Sequence, residues 1–410
     1  MSGGGPGRDR PGRSLRTPDA AGGPPEGDVP HEAYLGALAA LPSVGNATLR
    51  SLLTLGAPAE VWERVGTDRI PSEIRAALAP AVQAASSGWA AAARSVDPVV
   101  QWQRWRARGI GVISIGSPSY PPCLAGDVDP PIVLFHRGDV DVLAAPRVAV
   151  IGTRRATGYG RRLALDLGRG LAESGVCVVS GLALGIDAAA HHGAVAAAES
   201  QGPAAAAGPA AVVGGGVDAP GPSTNADLAR RVVELGVVLS EAPPRTRPAP
   251  WRFPVRNRIL AALAQVVVVV ESAERGGSMV TVEHAQRRDR TILAVPGPVG
   301  SPASSGTNDL IADGAGVCRG VDDVLVALGI SAAATGPSLG EQRPEPAGDA
   351  AAVLGALGFS PTSMEALARD ADLDLARLSV ALGELERLGW AERRGPFVER
   401  VARPGAGPPG

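Results

Sequence analysis

Five arginines (Arg245, Arg247, Arg252, Arg256 and Arg258) crowd one short stretch, and no acidic residue occurs from Ala242 to Val270. Trp251 and Phe253 interleave with them. A guanidinium is a planar fork that holds phosphate through two hydrogen bonds, and an aromatic ring offers a face to a nucleobase. Charge along a backbone, with rings for the bases, is what single-stranded nucleic acid requires. A solvated loop with packed aromatics is the plainer alternative. FPVRNR (Phe253 to Arg258) runs straight into the apolar ILAAL, so Arg256, Asn257 and Arg258 are expected at a helix start and held in place there.

Glycine loops supply the second set of candidates. GTRRATGYG places Gly152, Arg154, Arg155 and Gly158 after one apolar run, and SGLALGID places Ser180, Gly181 and Gly185 after the next. GGGVD adds Gly215, and RGGSMVT adds Gly276, Gly277 and Ser278. Glycine lets the backbone approach a ligand, and a following helix offers N–H groups to an anion. None of these loops has the spacing of a dinucleotide fingerprint or of a Walker A loop. With Arg252 and Phe253, they make up the expected DNA and phosphate site.

Asp187, Glu241 and Glu271 fall near the same edge, where a pair of carboxylates could do acid–base work. Each also has a plainer use: Asp187 as a helix cap, the glutamates as acceptors for backbone or arginine hydrogen bonds. All 39 basic residues are arginine, which removes a Walker A lysine and a Schiff-base lysine. His191 and His192 are adjacent, not one turn apart, and no third ligand is near. Cys123, Cys177 and Cys318 are too scattered for a zinc site or a disulfide framework. No catalytic residue, metal or cofactor is assigned.

The candidates lie at the ends of apolar runs: VAVIG (148–152), VCVVSG (176–181), AAVVGGG (210–216), VVLSE (237–241), VVVVVE (266–271) and TILAVPG (291–297). An unbroken run suits a strand buried on both faces, hence a parallel sheet covered by helices. The alternation with helical segments predicts a Rossmann-like, doubly wound, mostly parallel α/β core, its ligand crevice at the carboxyl ends of the strands.

A chain of 410 residues is too long for one ordinary domain. Residues 1–30 read as a disordered tail. Residues 31–98 read as a helical domain of SAM or helix-hairpin-helix type, broken at LPSVG (Leu41 to Gly45), where a turn either meets a phosphate or simply reverses the chain. Residues 99–330 form the extended Rossmann-like domain, with Trp102 and Trp105 as core residues. Residues 331–349 read as a linker, and 350–402 as a winged helix: helices near 351–357, 363–370 and 374–388, then a hairpin turning at Gly395-Pro396. Its Asp374–Leu388 helix mixes acids with arginines, so DNA and protein partners both stay open. A formal net charge of −2 requires any basic patch to be local. No segment has the length of a membrane helix and the start lacks the apolar core of a signal peptide, so the cytoplasm is the expected compartment.

In this order, GTRRATGYG, SGLALGID with AHHG, GGGVD, LSE, FPVRNRIL, GGSMVT, AVPG and GTNDLIADGA closely resemble the DNA-processing protein A family (DprA, also called Smf). The resemblance spans about Arg147 to Leu328 and extends upstream through SYPPCL and DPPIVLFHRGD. It implies a non-enzymatic protein that binds and protects single-stranded DNA without sequence preference. It also implies dimerisation through the Rossmann-like core and hand-over of the strand to RecA recombinase in natural transformation or recombination. The family's phosphate-contacting arginine in the first glycine loop matches Arg154, and its FPxRNR arginines match Arg256 and Arg258. Several positions depart from the pattern. Ala219-Pro220-Gly221-Pro222 lacks the family's tyrosine, Gly276-Gly277-Ser278 replaces Ser-Gly-Ser, Leu184 replaces a basic residue, and a small-residue insertion spans about Glu199 to Pro209. Together these predict weakened DNA affinity. Two further readings compete: a nucleotide-processing enzyme of the lysine-decarboxylase-like phosphoribohydrolase type, whose PGGxGTxxE pattern is missing, and a winged-helix transcription or docking factor.

Overall fold

The computed structural model describes residues 30–202, 205–330, 344–358 and 361–401. The expected N-terminal tail and most of the expected linker lie outside the described residues. The chain divides after Arg108 into two compact units. The first is helical: α1 (His31–Ala39), α2 (Asn46–Leu52), α3 (Pro58–Gly66), α4 (Ser72–Ala76), α5 (Pro80–Ser86), α6 (Trp89–Arg94) and α7 (Pro98–Arg106). Leu35, Leu38, Leu49, Leu52 and Val61 repeat at helical spacing and are buried. Trp89 is fully enclosed, and its indole donates to the Pro42 carbonyl at 2.9 Å, which ties the LPSVG corner to the helices. Asp97 caps α7 by accepting from the amides of Val99 and Val100, with Pro98 in the first turn, where no N–H is needed. Trp105 is core, whereas Trp102 is half-buried beneath the Arg106 guanidinium.

The second unit begins with β1 (Gly111–Ser114), α8 (Pro122–Ala125) and β2 (Val133–Gly138). It continues through β3 (Arg147–Ile151), α9 (Gly158–Glu173), β4 (Cys177–Ser180), α10 (Ile186–Gln201), β5 (Ala210–Val212), α11 (Ala226–Leu235) and β6 (Val237–Ser240). Then come α12 (Arg252–Leu263), β7 (Val266–Val269), α13 (Gly277–Gln286), β8 (Thr291–Ala294), α14 (Ser305–Ala312), β9 (Gly316–Val317) and α15 (Val321–Ala327). The sheet has nine strands in the order β1-β2-β6-β5-β4-β3-β7-β8-β9. From β6 to β9 the pairing is parallel, and β2 and β1 add an antiparallel edge. Along β3, Val148 and Val150 enter one core while Ala149 and Ile151 enter the other. Helices cover both faces, which is why these strands read as unbroken apolar runs.

Two strands escape the sequence pattern. In β2 only the first half is buried and His136 and Arg137 follow, and β9 has two residues. The runs also end sooner as strands than as apolar sequence, so Gly152, Gly181 and Gly214–Gly216 belong to loops. Helices α9 and α10 cross closely, because a Cβ on Gly168 would collide with the Ala190 carbonyl and one on Gly193 with the Leu165 carbonyl.

After residue 343 the chain builds a small helical and β module: α16 (Gly348–Ala356), β10 (Thr362–Ser363), α17 (Met364–Asp370), α18 (Leu375–Arg387), β11 (Ala391–Arg394) and β12 (Phe397–Arg400). Its sheet order is β10-β12-β11, turning at Gly395 with φ of 60°. Val353, Leu367, Leu378, Leu382, Leu385 and Trp390 fill its core. Asp374 caps α18 at the Arg377 amide. Within the second unit, Arg162 of α9 pairs with Glu399 at 2.9 Å and with Glu392, both on the hairpin.

Candidate nucleic-acid interface

Strand order reverses between β3 and β7, so the crevice at their carboxyl ends is where this architecture ordinarily takes a phosphate. Here that position is filled from within. Glu271, just past β7, is 3% exposed and accepts from the Thr157 amide at 2.9 Å and from the Thr157 hydroxyl. Thr157 in turn caps α9 by accepting from the Gly160 amide at 3.1 Å. A Cβ on Gly160 would strike the Glu271 carboxylate. The main chain joins in, since the Thr153 amide donates to the Glu271 carbonyl at 2.8 Å. A carboxylate of the chain itself therefore meets the positive end of α9. The first glycine loop folds down onto β7. Gly152 and Gly158 are half-buried in it, and Arg154 and Arg155 point out to solvent.

A second internal tie lies next to it. Arg256 is 6% exposed, and its guanidinium donates to the carbonyls of Gly181, at 3.0 Å, and Val212. Asp187 is equally buried and accepts from the Gly181 amide at 3.1 Å. Burial raises the Asp187 carboxyl, with Arg256 opposing, and burial pulls Arg256 down to about 10. The expectation that Asp187 caps α10 is corrected. The N-cap is Gly185, held at φ of 82°, where a side chain would collide with the Thr153 carbonyl. Asp187 lies inside the first turn and reaches back to hold the SGLALG loop. Ser180 is wholly buried and donates to the Val150 carbonyl at 2.6 Å, and Gly181 lies directly beneath Arg256.

Arg258 repeats this role one half-turn on. It is 7% exposed, donates to the Asp129 carbonyl, and pairs with the carboxylates of Glu241 and Asp129. Asn257 bridges the Arg256 Nε, at 3.2 Å, and the Gly277 carbonyl. The two arginines expected to face phosphate thus tie the ends of β4, β5 and β6 together from inside. The physical reason is that α12 is enclosed all round from Arg256 onward. Gly215 is buried too. Its carbonyl accepts from Ser240, and its open side packs on Thr246 and Pro248. Ser278 is buried and donates to Ser272 at 2.8 Å, Gly276 packs on Ser272, and Gly277 is exposed.

What remains outside is a rim. Arg154, Arg155, Arg245, Arg247 and Arg275 are exposed, and their side chains make no hydrogen bond or ion pair among the described residues. Arg154 lies over the Phe253 ring, 4.7 Å from its centroid, and Arg252 over Trp251 at 4.3 Å. Leu184, the departure from the family pattern within SGLALGID, is an exposed apolar residue. Sequence reasoning offered Glu241 as an arginine acceptor, and Arg258 is the arginine it holds. Asp129 beside Arg258 and Asp187 near Arg256 were missed, because both lie far from the acid-free window between Ala242 and Val270.

The DNA recombination-mediator protein A family matches residues 111–329, and the DprA winged helix domain matches residues 337–395. The putative DNA processing protein DprA of Mycobacterium tuberculosis (strain ATCC 25618 / H37Rv) is 40% identical over 286 residues, 68% of this chain and 70% of that protein. DNA processing protein DprA of Bacillus subtilis (strain 168) is 36% identical over 225 residues, 55% of this chain and 73% of that protein. The X-ray structure of DprA from Streptococcus pneumoniae superposes with a TM-score of 0.58 at 30% identity, covering 72% of this chain and 96% of that one.

Proposed function

Because this chain belongs to the DNA recombination-mediator protein A family, we propose that its rim of arginines and aromatic rings holds single-stranded DNA, without regard to sequence, for a recombinase of the RecA type. The observation that carries this reading is the contrast between the filled crevice and the unpaired rim. A phosphate finds no room at the N-terminus of α9, where Glu271 sits, yet it meets Arg154, Arg155, Arg245, Arg247 and Arg275 around the edge. Contacts to the backbone carry no sequence information, so a grip of this kind is sequence-tolerant.

The site holds the strand and does no chemistry on it. Each candidate acid is engaged: Glu271 on the cap of α9, Glu241 on Arg258, and Asp187 beside Arg256 under the SGLALG loop. The same occupancy speaks against a nucleotide-processing enzyme. The family's description as a recombination mediator supports a RecA-type recipient. Pairing of two copies through the α/β core is part of the same reading, and light scattering of the full chain tests it. In the winged helix, Arg377 is tied to Asp349 at 2.6 Å while Leu375 and Val380 are exposed on α18, which favours a protein over DNA as that module's partner.

Fluorescence anisotropy of labelled oligothymidylate and of a random duplex, over a salt series, tests the grip. Single-strand affinity is expected to fall by about 0.7 log units per log unit of salt for each phosphate contact. Arg154→Ala is expected to make that slope shallower by about 0.7. Tighter binding to duplex than to single strand, or an affinity insensitive to salt, overturns the reading.

A further inference from the structure

Trp251 is the most exposed aromatic side chain among the described residues. Trp89, Trp105 and Trp390 are enclosed at 0%, 7% and 5% exposure, while Trp251 is 62% exposed. It does not hang on a mobile loop. Its backbone is helical and leads directly into α12, which is buried from Arg256 to Leu263. Pro248 and Pro250 stiffen the approach, and the Arg252 amide closes a turn onto the Ala249 carbonyl. A rigid, outward-facing ring at this place needs a use.

The neighbouring side chains show what that use is. The Arg252 guanidinium lies over the Trp251 ring, 4.3 Å from its centroid, and the residue stays largely exposed. Two residues on, Phe253 and Arg154 form a second couple of the same composition. Each couple joins a ring, which stacks on any base, to a guanidinium whose rim of N–H donors suits a phosphate. A shallow cleft lined by Gly214, Val255 and Arg252 runs beside Trp251.

We propose that Trp251 with Arg252 is a second nucleotide subsite, which takes one nucleotide beside the one held at Phe253 and Arg154. The strand then crosses the start of α12 with successive bases on the two rings. This rests on the single-strand reading above and extends it to a place on the surface.

Trp251→Ala and Trp251→Phe decide the matter, with oligothymidylate and the same oligomer made abasic as probes. Base stacking on an aromatic side chain is worth about 1–3 kcal/mol, so Trp251→Ala is expected to weaken oligothymidylate binding roughly 5- to 150-fold. The salt slope stays at the wild-type value, because a ring contacts a base and not a phosphate. Trp251→Phe restores most of the affinity, and the abasic strand binds Trp251→Ala and wild type alike. If Arg154→Ala weakens binding and Trp251→Ala does not, the subsite is wrong and the single-strand reading stands. An equal loss on the abasic strand also overturns the subsite, since the ring would then act through the fold. If the wild type binds no single strand, both fall together.

Discussion

Replacing Arg256 separates two roles that the sequence alone assigns to one residue. As a phosphate contact, its loss would weaken DNA binding and leave the fold intact. As the structure places it, Arg256→Ala removes the donor from the buried carbonyls of Gly181 and Val212 and the cation that opposes the burial of Asp187. An orphaned buried acceptor costs about 1–3 kcal/mol. Two such carbonyls share this one guanidinium, so a total of about 3–5 kcal/mol is expected. For a unit of this size that corresponds to a fall of roughly 6–20 °C in Tm. Arg154→Ala provides the contrast. Its side chain is exposed and touches only the Phe253 ring, so stability stays within about 1 kcal/mol of wild type while the salt slope for oligothymidylate becomes shallower by about 0.7. Calorimetry and anisotropy on both variants, at a temperature below either transition, give the comparison. A wild-type Tm for Arg256→Ala together with a shallower salt slope would refute the buried cross-tie and return Arg256 to the strand.

Five other substitutions test the scaffold. Gly168→Ala and Gly193→Ala push a methyl into facing carbonyls where α9 and α10 cross, so each is expected to cost about 1–3 kcal/mol or more. Gly383→Ala, on an open face of α18, is expected instead to stabilise by about 0.5–1 kcal/mol, and matching melts for all three would contradict the close approach. His191 is fully buried against the Ala210 carbonyl, and burial lowers it from 6.5 to about 4. Its folded pKa lies below its unfolded one, so the stability it contributes is present above pH 6.5 and is lost as pH falls toward 4. That loss is about 3 kcal/mol and should be missing from His191→Gln, and parallel pH–stability curves for the two would sink the assignment. Glu271→Gln removes the charge at the cap of α9 and one of its two acceptor contacts. A loss of about 2 kcal/mol is expected, with faster amide exchange at Thr157, and wild-type exchange there would show that the carboxylate does not hold the loop.

The sheet was legible because burial on both faces writes a strand as an unbroken apolar run, as in VVVVV before Glu271. The edges were not. The first half of β2 is buried and its second half is not, and β9 is too short to show a period. The loops at the strand ends were legible as glycine clusters, but which of them face water was not. Gly215 and Gly181 are there because other chain segments press on them, while Gly277 has open space around it. In α12 the reason is geometrical. After its first turn the helix is buried on every side, so its pattern has no polar face to mark outward from inward. An arginine at such a position looks the same in sequence as one on a surface.

The cluster of arginines in the sequence and the basic surface in space therefore overlap only in part. Of the five between Arg245 and Arg258, one is held inside the fold by carbonyls and one by acids from other segments, one stacks on Trp251, and two reach solvent. Arg154, Arg155 and Arg275 complete the rim from other loops. This division has a functional consequence. A nucleotide enzyme of this architecture keeps its crevice open, because a phosphate buried at a helix end positions the reacting group. Here Glu271 occupies that end permanently and fixes the glycine loop from below. The rim then presents cations on a fixed backbone, and only exposed ones. Cations in solvent attract phosphate weakly, and less so as salt rises. A grip of this kind forms and releases readily, which suits a protein that must pass its strand on.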